Sequence, residues 1–215
     1  MGFLKLLEPA YARALPLGDG AVVLRGFATA ESAVLRAAIE SVEAAAPFRH
    51  MTTPGGFTMS VAMTNCGALG WVSSESGYAY APLDPASGRP WPAIPKPFAA
   101  LAERAGDAAG FPGFLPDACL INRYETGARL SLHQDRDEDD FGAPIVSVSL
   151  GVPAVFLFGG DKRKVAPERV TLEHGDVVVW GGASRLRYHG VAPLKAGWHT
   201  FAGTRRLNLT LRKAR

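Results

Sequence analysis

Hydrophobic and polar residues alternate with a helical period over two segments in the first half of the chain. Apolar residues recur every three to four positions across residues 30–46, which predicts an amphipathic helix with Thr29 as its N-cap. A shorter helix is predicted over residues 97–109, since Pro97 suits a first helical turn and Gly110 follows the last one.

From residue 116 onward the pattern changes to short segments of strand type that Gly or Pro separates. No helical period interrupts these segments. Eight strands are predicted, at Ala118–Tyr124, Leu130–Gln134, Ile145–Leu150, Ala154–Phe158, Arg169–Leu172, Asp176–Trp180, Tyr188–Val191 and Leu207–Arg212. Strands at this spacing are typical of an antiparallel sandwich or barrel, and we expect a jelly roll.

Residues 52–96, between the two predicted helices, are rich in Gly, Pro, Ser, Thr and aromatic residues. Two short strands are predicted there, Thr58–Thr64 and Gly77–Ala81, joined by long turns. One interpretation is a surface meander without a specific function. The alternative is a functional lid, because long loops in a compact domain are often functional.

Composition indicates one globular domain over residues 1–215. The chain is 47% hydrophobic and 20% charged, which excludes a disordered protein. Two cysteines are too few for a disulfide scaffold and favour a reducing compartment. No apolar run reaches the roughly 18 residues that a membrane span needs, and a Glu and a Pro interrupt the amino-terminal apolar stretch, which we do not interpret as a signal peptide.

The net charge of +3 is concentrated at the carboxyl end. The last eleven residues, from Arg205, contain five basic residues and no acidic one. A basic end can attract phosphate, but a charge balance this mild does not indicate nucleic-acid binding by itself.

His133 and Asp135 form the first candidate metal site. In a strand, residues two apart point to the same side, so the imidazole and the carboxylate converge. A third ligand must come from elsewhere, and His189 is the best candidate. The competitors are His174, His50 and His199, with His174 second. Two histidines and one carboxylate are the ligands of non-haem Fe(II) oxygenases, although His-x-Asp alone is common by chance.

The carboxyl-terminal strand alternates Leu with polar residues. Its polar face carries Arg206, Asn208, Thr210 and Arg212. One interpretation is a half-exposed edge strand with solvated arginines. The other is a barrel interior, where buried arginines would require an anion such as a dicarboxylate. The strand Ala118–Tyr124 offers similar groups on one face, at Leu120, Asn122 and Tyr124.

These residues together resemble the AlkB family of Fe(II)/2-oxoglutarate-dependent DNA repair dioxygenases. The resemblance covers nearly the whole chain from about residue 20. The matching motifs are Pro54–Gly67, Pro116–Tyr124, Leu130–Asp135, Ala143–Gly151, Glu173–Gly182 and Asn208–Arg212. It implies a mainly β protein, α+β by content, in which a double-stranded β-helix (jelly-roll) core over residues 115–213 carries amino-terminal helices and a nucleotide-recognition lid within residues 20–110.

The resemblance also implies the cofactor ligands. It assigns Fe(II) to His133, Asp135 and His189, with O2 as the second substrate of the metal centre. For 2-oxoglutarate it implies Arg206, Asn122 and Tyr124 at the distal carboxylate and Arg212 near the metal-bound end. Leu120 and Asn208 belong to the same pocket.

For the nucleic acid, the resemblance makes residues 52–96 the lid. Trp71 would stack on a flipped base with His133 on its other side, and Asp137 would read the exocyclic amine. Glu138 either supports Asp137 or belongs to a solvated acidic turn with Asp139 and Asp140. The remaining implied substrate contacts are Thr53, Met63, Tyr78, Arg129, Gln134 and Arg163.

The expected reaction is oxidative demethylation of 1-methyladenine and 3-methylcytosine in DNA, preferably single-stranded but also duplex, and in RNA. It would consume Fe(II)-activated O2 and 2-oxoglutarate and release succinate, CO2 and formaldehyde. We expect a monomeric cytoplasmic enzyme with no membrane partner. Phe57 and Leu207 depart from the family pattern, which has aromatic Tyr at the first position and an aromatic residue at the second.

Two other functions remain open at this point. One is an oxygenase of the same chemistry that acts on a protein or a small molecule. The other is a non-catalytic metal-binding jelly roll that recognises damaged nucleic acid.

Overall fold

The computed structural model describes residues 14–215. Most of the amino-terminal apolar stretch, over which no signal peptide is expected, lies outside these residues. Across the described part, neither helix combines the length and the apolarity needed to cross a membrane.

Two helices lie between the strands of the first half of the chain. The first, α1 (Ser32–Ala45), follows a single 3-10 turn, and the second is α2 (Lys96–Ala108). The prediction that Thr29 caps the first helix is wrong, because Thr29 opens the 3-10 turn and offers its carbonyl to the Ser32 hydroxyl at 2.7 Å. Pro97 lies in the first turn of α2, as predicted.

The strands of the described residues are short, and all named pairs are antiparallel. They are β1 (Ala14–Gly18), β2 (Ala21–Leu24), β3 (Arg49–Thr52), β4 (Thr58–Gly67), β5 (Gly70–Ser74), β6 (Gly77–Ala81), β7 (Ala118–Tyr124), β8 (Leu130–His133), β9 (Ile145–Gly151), β10 (Ala154–Phe158), β11 (Glu168–Leu172), β12 (Val177–Trp180), β13 (His189–Val191) and β14 (Arg206–Arg212). The predicted strands are confirmed with boundary differences of a few residues, whereas β1, β2, β3 and β5 were not predicted.

The strands form a jelly roll of two sheets. The larger sheet has the order β1-β2-β12-β9-β14-β7-β4-β3, and the smaller has the order β11-β10-β13-β8. Aromatic side chains meet between the sheets, where Trp180 of the larger sheet lies 6.1 Å from Phe156 and 4.9 Å from His189 of the smaller sheet, measured between ring centroids. Side chains of both sheets therefore line the space between them.

The two helices cover the other face of the larger sheet. Leu35 and Ile39 of α1 and Phe98 of α2 are buried in one cluster with Leu209 and Leu211 of β14. This arrangement explains why the apolar stripe of each helix faces inward, since it packs on the apolar face of the sheet.

The position of β14 decides between the two interpretations of its alternating pattern. It pairs with β7 on one side and β9 on the other, so it is a central strand. Its leucines face the helices, and its polar residues from Arg206 to Arg212 are buried on the opposite face, between the sheets. The edge-strand interpretation is wrong.

The strands β5 and β6 form a separate two-stranded hairpin within residues 52–96. Trp71 is paired with Tyr80 and Ser73 with Tyr78, so these side chains share one face of the hairpin. Residues 70–81 are therefore an ordered hairpin within this segment.

Candidate active site

Strand pairing brings His133 and His189 together. His133 ends β8, His189 begins β13, and the two residues are direct partners across these neighbouring strands. Their ring centroids are 4.4 Å apart. Gly190 permits this approach, since a Cβ atom there would lie 2.7 Å from the carbonyl oxygen of Leu130.

Asp135 completes a group of three possible metal ligands. One carboxylate oxygen lies 3.6 Å from Nε2 of His133 and the other lies 3.7 Å from Nε2 of His189. The three ligand atoms lie within 4.8 Å of one another, which is close enough to share one metal ion. Asp135 follows the end of β8 and is not in the strand itself, but it still faces the same point as His133.

Backbone carbonyls fix the tautomer of both histidines. Nδ1 of His133 lies 2.9 Å from the carbonyl oxygen of Ser131, and Nδ1 of His189 lies 3.1 Å from that of Arg187. Because a carbonyl only accepts, Nδ1 carries the hydrogen in each ring and the Nε2 lone pair points to the centre. The donor set therefore fits Fe(II), and three coordination positions would remain for other ligands.

Arg212 keeps the Asp135 carboxylate in its ionised form. Its Nε and an Nη atom donate to one oxygen of Asp135 at 2.8 and 2.6 Å. Burial alone would raise the pKa of Asp135, but Arg212 and the two histidines outweigh it and hold that pKa well below its ordinary value. Desolvation and the neighbouring His189 lower the pKa of His133 to about 4, although 39% of its side chain is exposed. Both groups are thus in the forms that bind a metal.

The competing histidines lie elsewhere. Both ring nitrogens of His174 have partners, since Nε2 lies 2.7 Å from the Ser32 hydroxyl and Nδ1 accepts a hydrogen bond from the Gly151 amide. Its ring stacks on that of His199, with 4.4 Å between the ring centroids. His50 is exposed on β3, where its Nδ1 lies 2.8 Å from the carbonyl oxygen of Met59. The interpretation of His174 as the third ligand is therefore not supported.

Arg206 is a buried cation with free donors. It is 2% exposed, one Nη atom donates to the Ser149 hydroxyl at 3.0 Å, and the guanidinium lies 4.9 Å from the centre of the Tyr124 ring. Its Nε and the other Nη have no hydrogen-bond partner among residues 14–215. Burial lowers the pKa of Arg206, which reflects the cost of this arrangement. An anionic ligand would remove that cost, and a carboxylate such as that of 2-oxoglutarate has the charge and the acceptor atoms that these donors require.

Asn122 and Asn208 lie beside Arg206. The Asn208 amide donates to the Ser147 hydroxyl at 2.8 Å and to the Val148 carbonyl at 2.9 Å, which fixes its orientation. The Asn122 amide donates to Asn208 at 3.3 Å, while the Asn122 carbonyl oxygen has no partner within the described chain. Asn122 thus offers a polar atom to a ligand, whereas Asn208 is largely satisfied.

Leu120 and Met63 belong to an apolar wall of the same region. Both are buried in one cluster with Tyr124, and Met63 is the cross-strand partner of Asn122. Met63 is implied by the resemblance as a substrate contact, and the structure places it in this wall, 1% exposed.

Two of the implied base contacts touch each other. The indole N–H of Trp71 donates to a carboxylate oxygen of Asp137 at 2.9 Å. The Trp71 ring also stacks on Tyr78, with 5.4 Å between ring centroids and 18° between the planes. Because Asp137 is two residues beyond Asp135, the aromatic pair and its acidic partner are tied to the chain segment that supplies a metal ligand.

The remaining implied substrate contacts are spread over loops. The Thr53 hydroxyl accepts the Phe57 amide at 3.2 Å, and the Gln134 amide donates to the Leu186 carbonyl at 2.5 Å. Arg129 and Arg163 are exposed, and within residues 14–215 neither side chain forms an ion pair. The structure therefore leaves both arginines free to meet a phosphate but does not bring them into the Trp71 cluster.

The two departures from the family pattern lie outside the ligand pocket. Phe57 is 76% exposed at the tip of the β3–β4 connection, and Leu207 is half-buried on the helix-covered side of β14. Neither contacts the three metal-ligand candidates.

Three buried residues complete the surroundings of the site, and two of them, Tyr80 and Arg185, carry no role assigned from the sequence. Glu138 is buried while Asp139 and Asp140 are exposed, so the interpretation of a fully solvated acidic turn is wrong. Tyr80 could have been found from its spacing of two from Tyr78. Arg185 lies in a turn with no periodic pattern, and nothing in the sequence marks it.

Comparison with known proteins adds a family match over the same residues. A model described as the 2OG-Fe(II) oxygenase superfamily matches residues 20–212. The chain is 60% identical over 199 residues to the alpha-ketoglutarate-dependent dioxygenase AlkB of Escherichia coli (strain K12), covering 93% of this chain and 92% of the relative.

Two further matches extend this comparison. The solved structure of OsALKBH1 superposes with a TM-score of 0.81 at 30% identity and covers 93% of this chain and 100% of that one. The nucleic acid dioxygenase ALKBH1 of Mus musculus is 41% identical over 98 residues, which is 46% of this chain and 25% of the mouse protein. The matches agree with the jelly roll and with an Fe(II)- and 2-oxoglutarate-dependent dioxygenase.

Proposed function

Because the chain belongs to the 2OG-Fe(II) oxygenase superfamily, we propose that it is a DNA repair enzyme that demethylates alkylated bases by oxidation. It is an Fe(II)- and 2-oxoglutarate-dependent dioxygenase. The observation that carries the choice of substrate is the Trp71–Asp137 pair, which joins an aromatic face and a carboxylate to the segment of Asp135.

His133, Asp135 and His189 would hold the iron. The two free donors of Arg206 would bind the distal carboxylate of 2-oxoglutarate beside Asn122 and Tyr124, with Leu120 and Asn208 in the pocket wall and Arg212 near the metal-bound end. The iron would supply the chemistry by which 2-oxoglutarate is oxidised by O2 to succinate and CO2, with one oxygen atom entering succinate and the other hydroxylating the N-methyl group of the base. The N–C bond of the hydroxymethyl group would then break, which releases formaldehyde and the unmethylated base.

The residues of this chain would select and orient the base. A flipped base would stack on Trp71 and face His133 on its other side. Asp137 would accept a hydrogen bond from the exocyclic amine of adenine or cytosine. Its negative charge also favours 1-methyladenine and 3-methylcytosine, which carry a positive charge, over their neutral counterparts.

Contacts with the nucleic-acid backbone would be few. Five side chains would contact phosphates and sugars, namely those of Thr53, Tyr78, Arg129, Gln134 and Arg163. Met63 would support the base from the pocket wall. Such contacts position a strand without reading its sequence, and a net charge of +3 suffices when few phosphates are neutralised. Single-stranded DNA is the preferred substrate because no base pair must be broken, and duplex DNA and RNA are further substrates.

Different parts of the fold would have different roles. Residues 115–213 would form the catalytic core, and residues 20–110 would provide the helices and the lid within a single domain over residues 1–215. The proposed enzyme acts as a monomer in the cytoplasm, where the free thiols of Cys66 and Cys119 would stay reduced.

Product analysis of a methylated single-stranded oligonucleotide tests this function. With Fe(II), 2-oxoglutarate and ascorbate, we expect formaldehyde and an oligonucleotide that has lost its methyl group. Active decarboxylation on another substrate without methyl loss would instead favour an oxygenase of proteins or small molecules. Binding of iron and oligonucleotide without any succinate would favour a non-catalytic damage-recognition protein.

A further inference from the structure

A buried network of charged residues lies behind the metal-ligand candidates, with Glu138 at its centre. One oxygen of Glu138 accepts the Tyr80 hydroxyl at 2.7 Å and lies 3.4 Å from Nε of Arg212. The other oxygen accepts an Nη atom of Arg185 at 3.1 Å. Only 2% of the Glu138 side chain is exposed, so the carboxylate is held by protein groups on both of its oxygens.

Both arginines continue from Glu138 to Asp135. Arg212 donates twice to one oxygen of the Asp135 carboxylate, and Arg185 donates to the main-chain carbonyl of Asp135 at 2.8 Å. Glu138 therefore restrains the side chain of Asp135 by one route and its backbone by another. Since the Asp135 oxygens face His133 and His189, this restraint sets the geometry of the ligand group.

The same carboxylate is connected with the lid hairpin. Trp71 and Tyr80 are cross-strand partners of β5 and β6, so their side chains leave the hairpin on one face. Trp71 donates to Asp137 and Tyr80 donates to Glu138. Two adjacent residues of the segment after Asp135 thus receive hydrogen bonds from one face of the hairpin that carries the base-stacking ring.

We propose that Tyr80 and Glu138 are positioning residues that hold the lid hairpin and the metal ligand Asp135 in a fixed relation through Arg212 and Arg185. This inference rests on the proposed function, in which Trp71 presents a base to the metal centre. It assigns neither residue a contact with the base, the metal or 2-oxoglutarate.

Charge balance alone does not account for this arrangement. Two carboxylates, Asp135 and Glu138, already balance two arginines, and the Tyr80 hydroxyl adds no charge. Its hydrogen bond nevertheless goes to the Glu138 oxygen that also faces Arg212. A tyrosine needed only for packing would be replaced by phenylalanine without effect on the reaction, and this difference makes the role testable.

The first measurement compares two products in one reaction with a methylated oligonucleotide. The wild-type enzyme should release one succinate for each formaldehyde. Tyr80→Phe should release about threefold more succinate per formaldehyde, because the base and the metal ligands are no longer held in register. Tyr188→Phe is the matched control, since within residues 14–215 the Tyr188 hydroxyl has no hydrogen-bond partner in the protein, and it should behave as wild type.

The second measurement is the affinity of the metal-free protein for Co(II). It is obtained by titration, with the absorption spectrum of the bound ion as the signal. Glu138→Gln should weaken Co(II) binding about fivefold, because the lost negative charge leaves Arg212 to compete more strongly for the Asp135 oxygen. The exposed Glu168 of β11 provides the matched control as Glu168→Gln. Glu138→Gln should also raise the amount of succinate released per formaldehyde, and the double variant Tyr80→Phe/Glu138→Gln should raise it no further, since both substitutions act on one path.

The outcomes separate this inference from the proposed function. A normal succinate-to-formaldehyde ratio in Tyr80→Phe, with only a lower melting temperature, would overturn the positioning role. Tyr80→Phe decides this even where Glu138→Gln does not fold. If the wild-type enzyme forms no formaldehyde from the oligonucleotide, the proposed function fails instead. Co(II) affinity of Glu138→Gln then decides the inference, which an unchanged affinity and spectrum would overturn.

Discussion

The metal-ligand group and the lid hairpin are built in opposite ways. Asp135, His189 and Arg212 lie between two sheets, and less than a tenth of each side chain is exposed. On the lid hairpin, 48% of Tyr78 is exposed. The difference indicates that the group proposed to bind the metal is held in a fixed, buried arrangement, while the proposed substrate surface is more open to solvent.

The way each region is held together follows the same division. The ligand group is joined through neighbouring strands and buried ion pairs. The β5–β6 hairpin pairs with no third strand among the described residues and is tied to the core by side chains such as Asn65, Ser73, Trp71 and Tyr80. Substitutions in the first region should therefore stop the reaction, and substitutions in the second should redirect or weaken it.

The largest effect is expected from the metal ligands. His133→Ala or Asp135→Ala should reduce both succinate and formaldehyde to background while the protein remains folded, because the ligands lie at the pocket and not in the apolar core. Circular dichroism and product assays check this. His50→Ala, at an exposed histidine outside the ligand group, is the control. Retained turnover in either ligand variant would refute the iron assignment.

A smaller but still large effect is expected at Arg206. Arg206→Met should raise the KM for 2-oxoglutarate about a hundredfold, since it removes a buried charge that pairs with a carboxylate. Arg206→Lys should recover part of the loss, because the charge remains but the two-pronged geometry is absent. Steady-state kinetics with varied 2-oxoglutarate provide the measurement, and an unchanged KM in Arg206→Met would contradict the assignment.

On the lid side, Trp71→Ala should weaken binding of a methylated oligonucleotide about tenfold through the loss of base stacking. Fluorescence anisotropy with the metal-free protein measures this without turnover. Binding equal to that of the wild type would show that the ring does not stack on the base.

The smallest effect concerns the stability of the metal-free protein. The pKa of His133 is about 4 in the folded protein and about 6.5 in an unfolded chain, so between these values the unfolded chain binds more protons. Stability should therefore fall as the pH decreases from 7 to 5. His133→Gln should lose less stability over this interval, as urea unfolding would show. Equal losses in both proteins would contradict the low pKa. Asp135, whose pKa is depressed, would lose its contribution only at still lower pH.

Much of the core could be predicted from the sequence because its patterns are strictly local. In β14 each Leu faces the helices and each polar residue faces the interior, so the alternation alone defines two faces. It could not show whether the strand is central or at an edge, since that depends on β7 and β9. The spacing of His133 and Asp135 predicts their convergence, and the sequence ranks His189 above His174 as the third ligand. That His189 lies directly opposite His133 depends on strand pairing, which the sequence does not show.

The lid was harder to predict. Strand β5 contains Gly70 and small polar residues, and its pairing with β6 is what makes it a strand. The roles of Glu138 and Arg185 depend on burial by segments far apart in the chain, which no local pattern records. Family resemblance identified Trp71, but its bond to Asp137 is a property of the folded protein.

The ratio of succinate to formaldehyde in Trp71→Ala tests most directly whether oxidation and base recognition are separate. With saturating 2-oxoglutarate and a methylated single-stranded oligonucleotide, the variant should continue to form succinate while formaldehyde falls steeply. That result would place the chemistry in the fixed group and the targeting in the lid. Loss of both products as complete as in Asp135→Ala would contradict the separation.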